Sequence, residues 1–351
     1  MEKRASRTKR RLPIAGIVFA AMASVALPAV AAETLPGEGK SVQPARATWD
    51  TGWFQTAIYS QALEELGYEV AEPKTLDNPP FYQAVAQGDV DFWVNGWFPL
   101  HNTYRETFEG KASVVGTVAE GGALQGYLVD KKTADEYGIT SLADFKKPEI
   151  AELFDSDGDG KAELVACPPG WGCELVIEHQ LEAYDLLDAV EPIKAAYSAS
   201  MADAMGRYKN GEPIFFYTWT PNWTVGLLEP GKDVVWIETP FPSLPEDQKQ
   251  FEDETTVSGV TGCVEDPCEM GWPANDIRPV ANNEFLEQNP AAKVLFEQAS
   301  IPLEDIFAQN AKMFEGEDSK EDIARHAEEW IAEHRETFDG WIEEAKKAAT
   351  M

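Results

Sequence analysis

Apolar positions recur along this chain with two alternating periods, one helical and one extended, and the alternation predicts an α/β fold. Over residues 50–66, Phe54, Ile58, Ala62, Leu63 and Leu66 share one helical face, with Asp50 as N-cap and Gly67 as terminator. Residues 68–70 resume as a strand, and Pro79-Pro80 punctuates the chain. A short helix over 81–86 and a buried strand over 90–94 follow, the strand ending at a loop that carries Trp97. Further strands are predicted over 125–130, 213–218 and 234–238, the second delivering Trp219. Helices are predicted over 131–137, 141–145, 174–187 and 201–210. Residues 240–272, rich in Pro, Gly and acid, read as a long surface loop. From Asn283 onward the pattern is mostly helical, with a capping-box-like start at Ser319-Lys320-Glu321-Asp322.

The chain has 351 residues, and its first thirty-odd differ from the rest. Lys3, Arg4, Arg7, Lys9, Arg10 and Arg11 precede an apolar run over 12–27, and Ala29-Val30-Ala31 offers a small-residue cleavage site. This is the pattern of a removable secretion leader over 1–31, and the apolar run is short for a membrane anchor. Arg10-Arg11 hints at twin-arginine export, but Leu-Pro follows, which favours ordinary secretion. With no cysteine at the cleavage point, a lipid anchor is not expected. The expected product is soluble, exported and periplasmic. A mature length of about 320 residues exceeds what one hydrophobic core usually supports, so two lobes are expected.

Charge narrows the list of partners. Lys and Arg number 29 against 61 Asp and Glu, a formal charge of -32, and loss of the basic leader makes the mature chain more acidic still. Such a surface repels nucleic acid and anionic lipid. Its self-repulsion becomes tolerable where salt shortens the screening length, which points to a protein working in saline water. The four cysteines fall into two close pairs, Cys167/Cys173 and Cys263/Cys268. In an oxidising compartment they read as two small disulfide loops, with a four-thiolate zinc site as the rival reading.

Three segments place a tryptophan beside a polar group: Gly96-Trp97-Phe98-Pro99-Leu100-His101, Gly170-Trp171-Gly172-Cys173 and Tyr217-Thr218-Trp219-Thr220-Pro221. A fully methylated ammonium has no N–H to donate, so a dry site holds it with aromatic faces, whose quadrupoles attract a diffuse cation. The helix beginning near Glu174 presents unpaired amides, including that of Cys173, which suit a carboxylate. His101, four residues after Trp97, offers an imidazole N–H to the same group. Core packing is the competing reading of each tryptophan, and a satisfied structural role that of His101. Trp49 and Trp53 flank the first helix's N-terminus, either as a fourth wall or as packing.

Taken together these segments resemble the ligand loops of the glycine betaine-binding component of ProU-type ABC importers. The likeness extends over nearly the whole mature chain, including Leu35-Pro36-Gly37, Gln125-Gly126-Tyr127-Leu128, Lys232-Asp233-Val234-Val235-Trp236 and Phe338-Asp339-Gly340-Trp341. It implies a two-lobed type II periplasmic binding protein with two interdomain crossovers. Lobe 1 is expected over 32–126 and 280–351, and lobe 2 over 127–279. It implies that Trp97, Trp171 and Trp219 box a trimethylammonium while the amides of Gly172 and Cys173 and the side chain of His101 hold a carboxylate. The implied partners are glycine betaine or a related small zwitterion and a membrane permease. Trp49, Trp53 and Cys263/Cys268 depart from the family pattern. So does Glu120, just before the 121–128 segment. A carboxyl group there, with an extra indole such as Trp53, would suit trimethylamine N-oxide, the alternative ligand, although an ordinary surface acid is the competing reading.

Asp155-Ser156-Asp157-Gly158-Asp159-Gly160 matches the start of a calcium loop, with Lys161 offering a carbonyl and Glu163 at position 9. Position 12 is Ala166, so the bidentate glutamate is missing. A structural calcium and a plain Asp/Gly turn both stand as readings; no other cofactor is expected. There is no Gly-rich phosphate loop after a strand and no His-Glu-x-x-His motif. His326 and His334 read as solvent-facing on an acidic C-terminal helix. An exported enzyme acting on quaternary amines and a calcium-dependent surface protein are the alternatives from other classes.

Overall fold

The computed structural model describes residues 34–349, so the leader predicted over 1–31 lies outside the described residues. Two sheets organise the chain. In the first, strand Phe92–Phe98 (FWVNGWF) is buried along its whole length and runs antiparallel to Asn275–Asn282, with Trp97 opposite Ile277. Strands Ala112–Val114 and Ala119–Ala123 pair with the same Asn275–Asn282 strand. The second sheet has the order Val190–Ile193, Ala162–Val165, Phe215–Trp219, Gln125–Asp130, Val234–Ile237. Its first three strands are parallel, and Gln125–Asp130 is antiparallel to both neighbours.

The chain leaves the first sheet at Ala123 and enters the second at Gln125, then returns at Asn275. Those two crossings sit beside the strand ends that carry Trp97 and Trp219, so the two sheets bring distant segments to one place. Helix Trp53–Glu65 buries Phe54, Ile58, Ala62 and Leu63, the face expected from the sequence. It packs against Lys320–Glu333, whose cap Ser319 accepts from the Asp322 amide. Tyr59 of the same helix donates to the Ala299 carbonyl at 2.5 Å.

The differences from the sequence reading have local causes. Trp97 belongs to a strand, because Phe92–Phe98 is covered on both faces and its ladder continues to Phe98. Pro79 and Pro80 do not break the chain. They occupy the first turn of helix Asn78–Gln87, where a missing amide hydrogen costs nothing. Asp50 begins a 3-10 turn, and Gly52 stands at the N-cap of the helix after it. The 240–272 segment is more than surface loop. Thr256–Val257 pairs with Cys268–Glu269, and Leu244, Met270 and Trp272 are buried. His326 is buried, 2.9 Å from Glu317, rather than facing solvent. His334 is half-buried, stacked on Trp330 at 4.3 Å.

Candidate functional site

Six of the residues singled out in the sequence, Trp97, His101, Trp171, Gly172, Cys173 and Trp219, line one cavity of ≈ 30 Å³. Each is set by its element. Trp97 comes from the long strand of the first sheet, and Trp219 closes Phe215–Trp219 in the second, paired with Gln125. Trp171 is the N-cap residue of helix Gly172–Ala183. Its loop is closed by the Cys167–Cys173 disulfide, and the Glu174 carboxylate accepts from the Gly170 amide at 2.9 Å. Gly170 has φ +93°, a conformation that suits glycine. The Trp171 indole N–H donates to Thr48 at 2.9 Å, and Thr48 donates to Asp77 at 2.5 Å, so the second sheet's loop is tied to the first sheet's side of the cavity. The rings of Trp171 and Trp219 meet edge to face, centroids 5.6 Å apart at 76°.

The polar end is built from one helix terminus and one imidazole. Among the described residues no acceptor is matched to the amides of Gly172 and Cys173, the first two of their helix, so the partial positive charge of that terminus faces the cavity they line. A side chain at position 172 would crowd the site: its Cβ would sit 3.1 Å from Leu100 and 3.3 Å from His101, and both neighbours would have to give way. Glycine there lets the terminus approach the imidazole. His101 Nδ1 accepts from the Trp97 amide at 3.1 Å and from the Tyr82 hydroxyl at 2.8 Å. Burial holds that hydroxyl protonated, well above its ordinary pKa. With Nδ1 occupied as an acceptor, the neutral ring carries its proton on Nε2. The Asn78 amide lies 3.0 Å from Nε2, and its Oδ1 otherwise lacks a partner; with the amide turned over, Nε2–H donates to Oδ1. Burial pushes the His101 pKa down to about 3, so the ring is an uncharged donor.

Two candidates do not join the cavity. Trp53 begins its helix, donates its indole N–H to the Ala47 carbonyl at 2.8 Å, and carries the Arg46 guanidinium 3.7 Å above its ring. It lines a separate groove between its own helix and Lys320–Glu333. Glu120 is exposed: strand Ala119–Ala123 turns Ala119 and Ala123 inward and Glu120 out. The carboxylates of Asp155, Asp157 and Asp159 lie within 4.8 Å of one another, away from the cavity. Asp155 accepts from the amides of Gly158 and Gly160, and Glu163 is engaged by Ser156 and Arg207 instead of joining the cluster. The second cysteine pair, Cys263–Cys268, is also a disulfide.

Of the other residues of the cavity, Trp49 was offered by the sequence as a wall or as packing, while Asn78, Gln125 and Tyr217 were not singled out as ligands. Trp49, not Trp53, supplies an indole from the first helix's approach. Asn78, Gln125 and Tyr217 also line it. The Tyr217 hydroxyl donates to Gln125 Oε1 at 2.6 Å, and Gln125 Nε2 is buried with no partner among the described residues. The sequence held a signal for Trp49, its position just before the first helix. It held none for Gln125 beyond its place at a strand start.

An α/β chain of two sheets joined by two crossings, with a small aromatic cavity where the strand ends meet, has the fold of a type II periplasmic binding protein. The sequence pattern described as the substrate binding domain of ABC-type glycine betaine transport systems matches residues 40–333, and the chain belongs to that family. A glycine betaine-binding periplasmic protein of Dickeya dadantii is 44% identical over 335 residues, covering 93% of this chain and 98% of that protein. A glycine betaine/proline betaine-binding periplasmic protein of Escherichia coli is 46% identical over 318 residues, covering 90% and 93%. Lactococcal OpuAC in its closed complex with glycine betaine superposes with a TM-score of 0.65 at 20% identity, over 86% of this chain and 99% of that one. A choline-binding protein in complex with choline gives 0.68 at 17% identity, over 88% and 96%. Among the described residues no helix is long and apolar enough to cross a membrane.

Proposed function

We propose that this substrate-binding protein captures glycine betaine, or a quaternary ammonium zwitterion of the same size, in the periplasm and delivers it to a membrane permease. We assign lobe 1 to the residues up to 123 and from 275 onward and lobe 2 to 125–274, a few residues from the expected bounds at 126/127 and 279/280, because strands Gln125–Asp130 and Asn275–Asn282 each belong whole to one sheet. Trp97 and His101 act from the first, and Trp171, Gly172, Cys173 and Trp219 from the second. The single observation that carries the reading is that indoles from both sheets line the same small cavity as the unpaired amides of Gly172 and Cys173 and the His101 ring.

Each end of the ligand has a physical counterpart. The methyl groups spread the positive charge, and each well-desolvated indole face contributes on the order of 2 kcal/mol. The carboxylate takes the Gly172 and Cys173 amides and the His101 Nε2–H, displacing Asn78 from that proton; such charge-assisted bonds are roughly twice as strong as neutral ones. Contacts from both lobes favour the closed form, because only a difference in affinity between open and closed shifts that equilibrium. Three walls and one clamp are enough for micromolar binding, about -8 kcal/mol, once association costs are met.

The exposed Glu120 gives no support to the N-oxide alternative. No reaction is assigned to the cavity: the Cys173 sulfur is held in a disulfide and so is a poor nucleophile. Titration of intrinsic tryptophan fluorescence with glycine betaine, proline betaine, choline, carnitine and trimethylamine N-oxide tests the proposal. Saturable binding is expected for glycine betaine and tighter than for choline, which lacks the carboxylate. Equal or tighter binding of choline would remove the carboxylate clamp, and conversion of betaine to product would make the protein an enzyme.

A further inference from the structure

We infer that Trp49 is a specificity-determining fourth wall that limits how far a ligand can extend between its ammonium and its carboxylate. The inference rests on the reading of the cavity given above and deepens it: the preferred substrates are zwitterions with a short spacer. Trp49 is 7% exposed and lines the cavity. Its ring centroid lies 5.3 Å from that of Trp171, on the side assigned to the cation, and 6.2 Å from that of His101, on the side assigned to the carboxylate. It therefore stands alongside both ends of the bound molecule.

This wall cannot swing aside easily. Trp49 packs edge to face on Trp93 at 5.7 Å, and Trp93 stacks on Phe81 at 3.7 Å and 17°. Trp93 and Phe81 are fully buried, and close-packed interiors resist displacement. On its other side the Trp171 ring is held by Thr48, the residue preceding Trp49. On this reading a ligand with one methylene between nitrogen and carboxyl reaches both ends while lying straight along the Trp49 ring. A spacer of three carbons must bow, and the bow runs into the indole.

Calorimetric titration of the mature protein with glycine betaine and with 4-trimethylammoniobutyrate tests this on wild type, Trp49→Ala, Trp49→Phe and Trp53→Ala. The readout is the ratio of the two affinities. Trp49→Ala is expected to lower the betaine preference by ~10-fold or more, since it removes the steric limit on the longer spacer, while the cation–π face it also removes is lost to both ligands alike. Trp49→Phe falls between wild type and Trp49→Ala, and Trp53→Ala, outside the cavity, matches wild type. If Trp49→Ala loses its near-ultraviolet dichroism and so its packing, Trp49→Phe decides, and its ratio must move the same way. An unchanged ratio in the folded variants, with wild type binding betaine, overturns the inference alone. A wild-type protein that binds neither ligand removes the proposed function and this inference with it.

Discussion

His101 shows what burial does to one residue. Its Nδ1 is occupied by the Trp97 amide and the Tyr82 hydroxyl, and its pKa is pushed down to about 3. Betaine affinity is therefore expected to be flat between about pH 5 and 8, the range where an ordinary histidine titrates; a titration series across that range checks this. Stability behaves otherwise. The unfolded chain binds a proton at His101 below the ordinary value of 6.5 while the folded chain does not. The contribution is thus fully present above 6.5 and is lost as pH falls from there toward 3, at up to about 1.4 kcal/mol per pH unit for one group. His101→Ala should weaken betaine binding by roughly 10- to 100-fold, the value of a hydrogen bond to a charged group. Trp97 and His101, four residues apart, were legible in the sequence as neighbours. Trp49 and Trp53 show the same spacing, yet only one reaches the cavity. Trp49 is extended, with ψ 122°, whereas Trp53 is already helical, and that change of backbone state turns the two indoles in different directions.

At the scale of elements, the 167–173 loop and the helix it feeds form one device. The disulfide restricts the loop while the helix terminus supplies the amides. Replacing both Cys167 and Cys173 by alanine should cost about 2 kcal/mol of stability by the loop-entropy estimate. It should also weaken betaine binding, because Trp171 and the amides lose a fixed relation; thermal unfolding and titration of the double variant check both. The acidic 155–163 loop lies away from the cavity, so chelator treatment is expected to leave betaine affinity unchanged, and a chelator-dependent affinity would contradict that. Strand Gln125–Asp130 and helix Lys131–Tyr137 were readable to the residue, since a buried run ends at Asp130, whose side chain caps the helix through the Thr133 amide. The 240–272 segment was not. Its polar composition concealed Leu244, Met270 and Trp272, which are buried by tertiary packing rather than by any local period.

The whole chain carries a formal charge of -32, and its two sheets must come together around a cavity despite that charge. Thermal midpoint should rise as sodium chloride increases from about 0.1 to 1 M, where the screening length falls from ~10 to ~3 Å; a midpoint that falls would mean self-repulsion is not the dominant surface term. The α/β class was legible from alternating periods, and the presence of two lobes from length alone. Which segments meet at the cavity was legible through the family resemblance alone, because two crossings and a ladder between Trp97 and Ile277 are properties of register, not of spacing. The central claim is that one cavity holds both ends of one zwitterion, and a crystal structure of the protein with glycine betaine tests it most directly. The trimethylammonium is expected against Trp97, Trp171 and Trp219, with the carboxylate on the Gly172 and Cys173 amides and His101 Nε2. A ligand seated in the groove beside Trp53, or one with its carboxylate among the indoles, would contradict the account.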